Sequence, residues 1–247
     1  MIAHLKRLLV GTPLEGTARR VYRLVRRRSR AGPHDEQTFA IMRRTLRVDS
    51  NCVDVGAHVG SILLEMLRYA PKGTHYAFEP LPALYRRLVS SYPGVRVYEL
   101  ALSDKAGEKT FQHVVTNPAY SGFVRRQYPR TNETIEQLTV RTELLDNIIP
   151  ESLPVDFIKI DVEGAVLEVL RGGLQTIRRN RPTIVFEYGR GAVVNYGTPP
   201  ELIYEFFEAC KLRVFLLHNR LRNAAPLSEG QFSDEVYGGS FYFVAHR

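Results

Sequence analysis

The chain has 247 residues, 44% of them hydrophobic, and a formal net charge of +8 at neutral pH. Such a length and composition support one buried core with appendages and exclude a fibrous or disordered protein. The charge is local: Lys6, Arg7, Arg19, Arg20, Arg23, Arg26, Arg27, Arg28 and Arg30 face one acid, Glu15, and the rest of the chain is formally neutral. A neutral body argues against a broad phosphate-binding face, so no nucleic-acid partner is expected.

Residues 1–35 read as a basic arm with helical character, and 36–247 as a single domain. On a helix over 17–28, Val21, Leu24 and Val25 share one side and arginines cover much of the remainder. That pattern suits peripheral contact with an anionic membrane; it equally suits a solvated extension packed on the domain or on the partner of a homodimer. The apolar run Leu8-Leu9-Val10 stops at Gly11 without a cleavage signal, and no apolar stretch is long enough to span a bilayer. Cys52 and Cys210, the two cysteines, supply neither a disulfide framework nor a zinc site. A cytoplasmic location is expected, peripheral to the inner face of the membrane if the arm docks there.

Beyond residue 50, short β-branched or aromatic runs alternate with longer amphipathic segments, the pattern of a parallel sheet covered by helices. Strands are predicted over 52–55, 74–78, 95–100, 156–160, 183–187 and 212–217. Helices are predicted over 60–70, 82–91, 165–179 and 200–210, where apolar residues recur at three- and four-residue spacing. Residues 105–140 follow neither rhythm and read as an insertion over the sheet edge. The last segment, 240–245, follows its predecessor through a stretch without helical pattern, which makes it an antiparallel closing strand.

Three motifs carry chemistry. In Val53-Asp54-Val55-Gly56-Ala57-His58-Val59-Gly60 an apolar strand ends in a glycine turn that opens a helix, a geometry that lets a ligand approach the backbone. About twenty residues later, Glu79 ends the next strand in Phe78-Glu79-Pro80, where a carboxylate can accept hydrogen bonds from both hydroxyls of a ribose. Together these favour an adenosine-bearing cofactor without separating NAD from S-adenosylmethionine, although the missing third glycine of a G-x-G-x-x-G turn weighs against NAD. The third motif is Lys159-Ile160-Asp161-Val162-Glu163-Gly164, a buried strand that ends in two acids at the edge where open α/β sheets bind ligands; the same acids also suit a helix N-terminus. No spacing of His, Cys and carboxylates points to a metal.

With Ala101-Leu102-Ser103-Asp104 and Val169-Leu170-Arg171-Gly172, these motifs stand in the order and spacing of a known family, and over about residues 50–190 the chain resembles the FkbM-type methyltransferases. The resemblance implies a Rossmann-like class I fold, with a seven-stranded mostly parallel sheet, an antiparallel last strand and helices on both faces. It also implies S-adenosylmethionine as methyl donor and a hydroxyl oxygen as acceptor, on a sugar, a glycan or glycolipid, or a related secondary metabolite. Position by position, Asp54, Gly56, Ala57, His58 and Gly60 would shape the methionine end of the cofactor pocket, joined by Asp161. Glu79 and Pro80 would hold the ribose, and Ala101, Leu102, Ser103 and Asp104 would border the adenine. Two departures stand out: His58 replaces a common Asn, and Glu99 occupies a place where Asn is frequent.

Transfer to an alcohol needs a base for the hydroxyl proton. Asp161 or Glu163 is expected in that role, with His58 as the further candidate because imidazole titrates in the useful range. Glu187, Tyr188 and Arg190 reach the same edge after another strand, and Tyr120 stands among the aromatics of the insertion; these are the expected acceptor contacts. Competing readings are a catalytically inactive cofactor-binding or membrane-peripheral partner module and an NAD-dependent oxidoreductase.

Overall fold

The computed structural model describes residues 32–126, 128 and 132–247. The basic arm, and with it the expected helix over 17–28, lies outside the described residues apart from its last few. The chain divides into two compact units, Met1–Glu36 and Gln37–Arg247. In the first, the described part is the start of α1 (Pro33–Thr45), where Asp35 accepts a hydrogen bond from the Gly32 N–H at 3.2 Å.

The second unit is built on a seven-stranded sheet. Its strands are β1 (Cys52–Val55), β2 (His75–Phe78), β3 (Arg96–Tyr98), β7 (Phe157–Ile160), β8 (Thr183–Glu187), β9 (Arg213–Leu216) and β10 (Tyr242–His246), in the order β3-β2-β1-β7-β8-β10-β9. All pairs are parallel except those of β10, which runs antiparallel between β8 and β9. Strands β1, β2 and β7 are buried at every position, so both faces of the sheet centre are covered. This is why they are mostly apolar, with Asp54, His75 and Lys159 as the buried polar exceptions. The covering helices are α2 (Ser61–Tyr69), α3 (Pro82–Ser91), α5 (Val166–Gly172), α6 (Leu174–Asn180), α7 (Arg190–Tyr196) and α8 (Pro200–Ala209). Among the described residues no helix is long and apolar enough to cross a membrane.

The structure corrects four expectations. The helix expected over 165–179 is two, α5 and α6, broken at Gly172-Gly173. A Cβ on Gly172 would lie 2.1 Å from the Ser103 carbonyl oxygen, so the chain is pinched there to admit the neighbouring loop. The strand expected over 95–100 ends at Tyr98, and the chain then enters β4 (Ala101–Leu102) in a separate three-stranded sheet.

The region 105–140 is not irregular. It forms a long antiparallel hairpin, β5 (Gly107–Val114) with β6 (Ile135–Glu143), in register from Gly107↔Thr142 to Val114↔Ile135. Its strands are polar on one face, with Phe111 and Val140 packing on Leu81 and Ala101 from the other. Pro118 and Gly122 lie between the two strands. Finally, the segment between β9 and β10 carries two helices, α9 (Leu217–Leu221) and α10 (Glu229–Gly238). The second is opened by a capping box in which Ser228 Oγ accepts from the Gln231 N–H and Gln231 Oε1 accepts from the Ser228 N–H. The remaining short helix, α4 (Leu145–Ile148), follows β6.

Candidate functional site

Parallel register brings the ends of four strands to one edge. Val55 is level with Phe78 and with Ile160, and Ile160 is level with Phe186. The residues that follow (Gly56, Glu79, Asp161) and Glu187 at the end of β8 are therefore neighbours. Tyr242 at the start of β10 faces Glu187 directly.

At the β1 end, the turn is pinned by the Gly56 and Ala57 N–H groups, both donating to the Phe78 carbonyl at 3.0 Å. Gly56, His58 and Gly60 all adopt positive φ, at 73°, 49° and 77°. His58 thus occupies a left-handed conformation that Asn and His tolerate better than most side chains, which explains how it substitutes for the expected Asn. Its backbone N–H donates to Glu79 Oε2 at 2.8 Å, and the Leu81 N–H donates to Oε1 at 3.0 Å. Burial raises Glu79 to about 7 despite these two donors. Each Glu79 oxygen keeps a lone pair for a further donor, so the residues present fit an adenosine-bearing cofactor with vicinal ribose hydroxyls. Pro80 is half-buried beside it.

Asp54 is fully buried under the turn. Burial raises its carboxyl, and Lys159 opposes that from 3.5 Å. Lys159, 5% exposed, was expected only as part of a motif, yet it is the hub of the edge. Its Nζ donates to the Gly56 carbonyl at 2.9 Å and lies 3.3 Å from Asp161 Oδ2. It therefore ties the glycine turn to the acids of β7 and supplies their counter-charge.

The acids divide sharply. Burial pushes Asp161 upward, but Lys159, the neighbouring Glu187 carboxyl and the Tyr242 hydroxyl, which donates at 2.9 Å, hold it at about 2. Glu163, in a left-handed conformation with φ 55°, is raised by burial to about 7, against the attraction of Arg126. Arg126 comes from the loop joining β5 and β6, donates to Glu163, and lies 5.3 Å over the Tyr120 ring and 6.0 Å over that of Tyr128. Glu187 is raised well above the ordinary range by burial and by the charge of Asp161. Oxygens of Asp161, Glu163 and Glu187 lie within 4.8 Å of one another, a gathering that no local spacing announces. Lys159 and Arg126 already neutralise two of the three and so compete with any metal cation.

The other expected residues are placed as follows. The His58 imidazole is pushed below its usual range by burial and by the Lys159 charge, which keeps it neutral near pH 7. Leu102 is buried in the main core and Ala101 packs in the hairpin cluster. Ser103 is enclosed, donating to Glu168 at 2.7 Å and accepting from Lys109 at 3.0 Å, with Asp104 half-buried beside it. Tyr188 is not gathered with the acids. It is 1% exposed and its hydroxyl donates to the Thr198 carbonyl at 2.6 Å. Alternation along β8 sends Glu187 and Tyr188 to opposite faces. Arg190 is exposed at the start of α7. Lys159, Arg126 and Tyr242 are the residues that sequence reasoning missed; for Lys159 the signal was a lone cation inside an apolar strand.

The pattern of the Methyltransferase FkbM domain matches residues 54–213. Methyltransferase sdnD of Sordaria araneosa is 30% identical, over 49% of this chain and 59% of its own length. The 2-O-methyltransferase NoeI of Sinorhizobium fredii (strain NBRC 101917 / NGR234) is 28% identical, over 54% of this chain and 61% of its own. The chain thus spans about three-fifths of the length of these curated relatives. Among solved structures, Methyltransferase FkbM from Methylobacillus flagellatus KT superposes with a TM-score of 0.51 at 13% identity, covering 81% of this chain and 44% of that one, a likeness of fold. On the match over residues 54–213, the chain belongs to the FkbM methyltransferase family.

Proposed function

We propose that this protein is an S-adenosylmethionine-dependent methyltransferase that methylates a hydroxyl oxygen of a sugar, a glycan or glycolipid, or a related secondary metabolite. The observation that carries the reading is Glu79: a buried carboxylate at the end of β2, locked by the backbone of the glycine turn, with lone pairs left for ribose hydroxyls. Family membership supports methyl transfer, and the name of the relative NoeI supports oxygen as the acceptor atom. Glu79 would hold the ribose, and the turn from Gly56 to Gly60 would face the methionine end. The bound cofactor would supply a methyl group already activated as a sulfonium. The chain's own task is then to align the acceptor, exclude water and remove a proton.

Calorimetric titration with S-adenosylmethionine and with NAD tests this. S-adenosylmethionine alone should bind, and Glu79→Ala should weaken it by roughly tenfold to a hundredfold, the worth of hydrogen bonds to a charged group. Glu79→Gln, which preserves shape, should weaken it less. Because ribose donors favour the ionised form of Glu79, affinity should fall as pH drops below about 7. Binding of NAD, or of neither ligand, would overturn the reading.

The acid that takes the proton is Glu163. Asp161, held at about 2, is too weak a base, whereas Glu163 at about 7 is half ionised near neutrality. With a hydroxyl acceptor at saturating cofactor, kcat should show an acid limb near pH 7. Glu163→Gln should lower kcat by roughly a hundredfold or more while cofactor affinity stays within about twofold. An undiminished kcat would remove Glu163 from the role.

A further inference from the structure

Glu187 ends β8 with Asp161 one strand to one side and Tyr242 one strand to the other. Oxygens of the Glu187 and Asp161 carboxyl groups lie within 4.8 Å of one another. An ionised carboxylate has no donor, so two carboxyl groups this close attract only when one of them bears a proton. The surroundings decide which. Asp161 is flanked by donors, with Lys159 Nζ at 3.3 Å and the Tyr242 hydroxyl at 2.9 Å from Oδ2. Glu187, among the described residues, has no ion pair. Two like charges this close at a half-buried edge oppose each other, and the donors stabilise the anion on Asp161.

We infer that Glu187 carries a proton that it donates to Asp161, so that the two acids form a singly charged positioning unit matched by Lys159. Glu187 is in this sense a positioning residue. It sits beside the Asp161 carboxylate without adding a second negative charge, and leaves Glu163, of the three acids, as the one that titrates near neutrality. The role of Glu163 rests on the methyltransferase reading; the proton on Glu187 does not, and can be read without cofactor or acceptor.

The charged and titratable groups facing Glu187 are Asp161 and Lys159 from β7, Glu163 with its partner Arg126 from the loops beyond, and Tyr242 from β10. An acid whose value is raised on folding contributes stability that is complete below its unfolded value. That stability is lost as pH rises through the folded one. Relative to a neutral isostere, wild-type protein should therefore lose ground as pH rises.

Infrared spectra of the full chain, recorded for wild type, Glu187→Gln and Asp161→Asn at about pH 8.5, test this above the range where Glu79 and Glu163 titrate. The wild-type spectrum should contain a protonated-carboxyl C=O band that disappears in Glu187→Gln and weakens in Asp161→Asn, where the charge holding the proton is gone. In parallel, the thermal midpoint of Glu187→Gln relative to wild type should climb as pH rises from about 5 to about 9. An unchanged band in Glu187→Gln, or a midpoint difference that is flat across that range, would overturn the inference. Failure of S-adenosylmethionine to bind would overturn the methyltransferase reading instead and leave the band in place.

Discussion

Replacing Lys159 by alanine should destabilise the protein by about 3–5 kcal/mol, the cost of stranding buried charge by removing one partner. The loss is large because one ammonium serves several acceptors. It lies 3.5 Å from Asp54, 3.3 Å from Asp161 and 2.9 Å from the Gly56 carbonyl, and 5% of its surface is exposed. Without it, the fully buried Asp54 loses its cation, and Asp161, its side chain 26% exposed, keeps a negative charge that the Tyr242 hydroxyl still meets. The pH dependence identifies the cause. In the wild type Lys159 helps hold Asp161 at about 2, so that acid stays ionised through the accessible range. In the variant the same carboxyl should rise and take up a proton on mild acidification, which relieves the stranded charge. Equilibrium denaturation should therefore find a larger deficit at about pH 8 than at about pH 5. A deficit that is equal at both would assign the loss to packing rather than to charge. Lys159→Arg should not restore stability, because a planar fork does not reproduce three divergent contacts of a point charge.

The parts of this site that the sequence exposes and those it hides differ in physical kind. Strands β1, β2, β7 and β8 are legible because burial on both faces keeps them mostly apolar, and Glu79, Asp161 and Glu187 are conspicuous as charges where those runs stop. The antiparallel last strand was expected for a mistaken reason. The segment before it is helical, and Ser228 with Gln231 was the overlooked signature of α10. Strands β5 and β6 were hidden because Lys109 and His113 flank Phe111 on the packed face and Val114 is buried on the other, so their alternation is faint. What no local reading reaches is pairing across strands. Tyr242 meets Asp161 only through the register that sets it opposite Glu187, and Arg126 meets Glu163 only because a hairpin folds back over the edge. The difference between Asp161 and Glu163 is of the same kind. Two residues apart in sequence, they stand as equivalent acids until Lys159 and Tyr242 are seen to surround one and Arg126 the other.

Gly56→Ala should be the most damaging of the small substitutions. Gly56 adopts φ +73°, and a Cβ there would lie 1.9 Å from the Asp161 carbonyl oxygen and 3.0 Å from its carbonyl carbon. Both are backbone atoms, so no rotamer change relieves the contact. The end of β1 must move away from β7, against the hydrogen bond from the Asp161 N–H to the Val55 carbonyl at 3.1 Å. Left-handed strain contributes about 1–2 kcal/mol and overpacking about 1–3 kcal/mol, so a loss of about 3 kcal/mol is expected. The displaced turn also carries the His58 N–H that locks Glu79 and the carbonyl that anchors Lys159. S-adenosylmethionine affinity, where it is present in the wild type, should consequently fall by more than about tenfold, beyond what stability alone explains. Gly197→Ala separates the two contributions, since Gly197 has φ +63° and open space around its Cβ position. That variant should lose only the strain of about 1–2 kcal/mol and should bind cofactor normally. If chemical denaturation and calorimetry find the two variants alike, the close approach of the glycine turn to Asp161 is not what positions Glu79, and the coupling between the two strand ends must run through Lys159 alone.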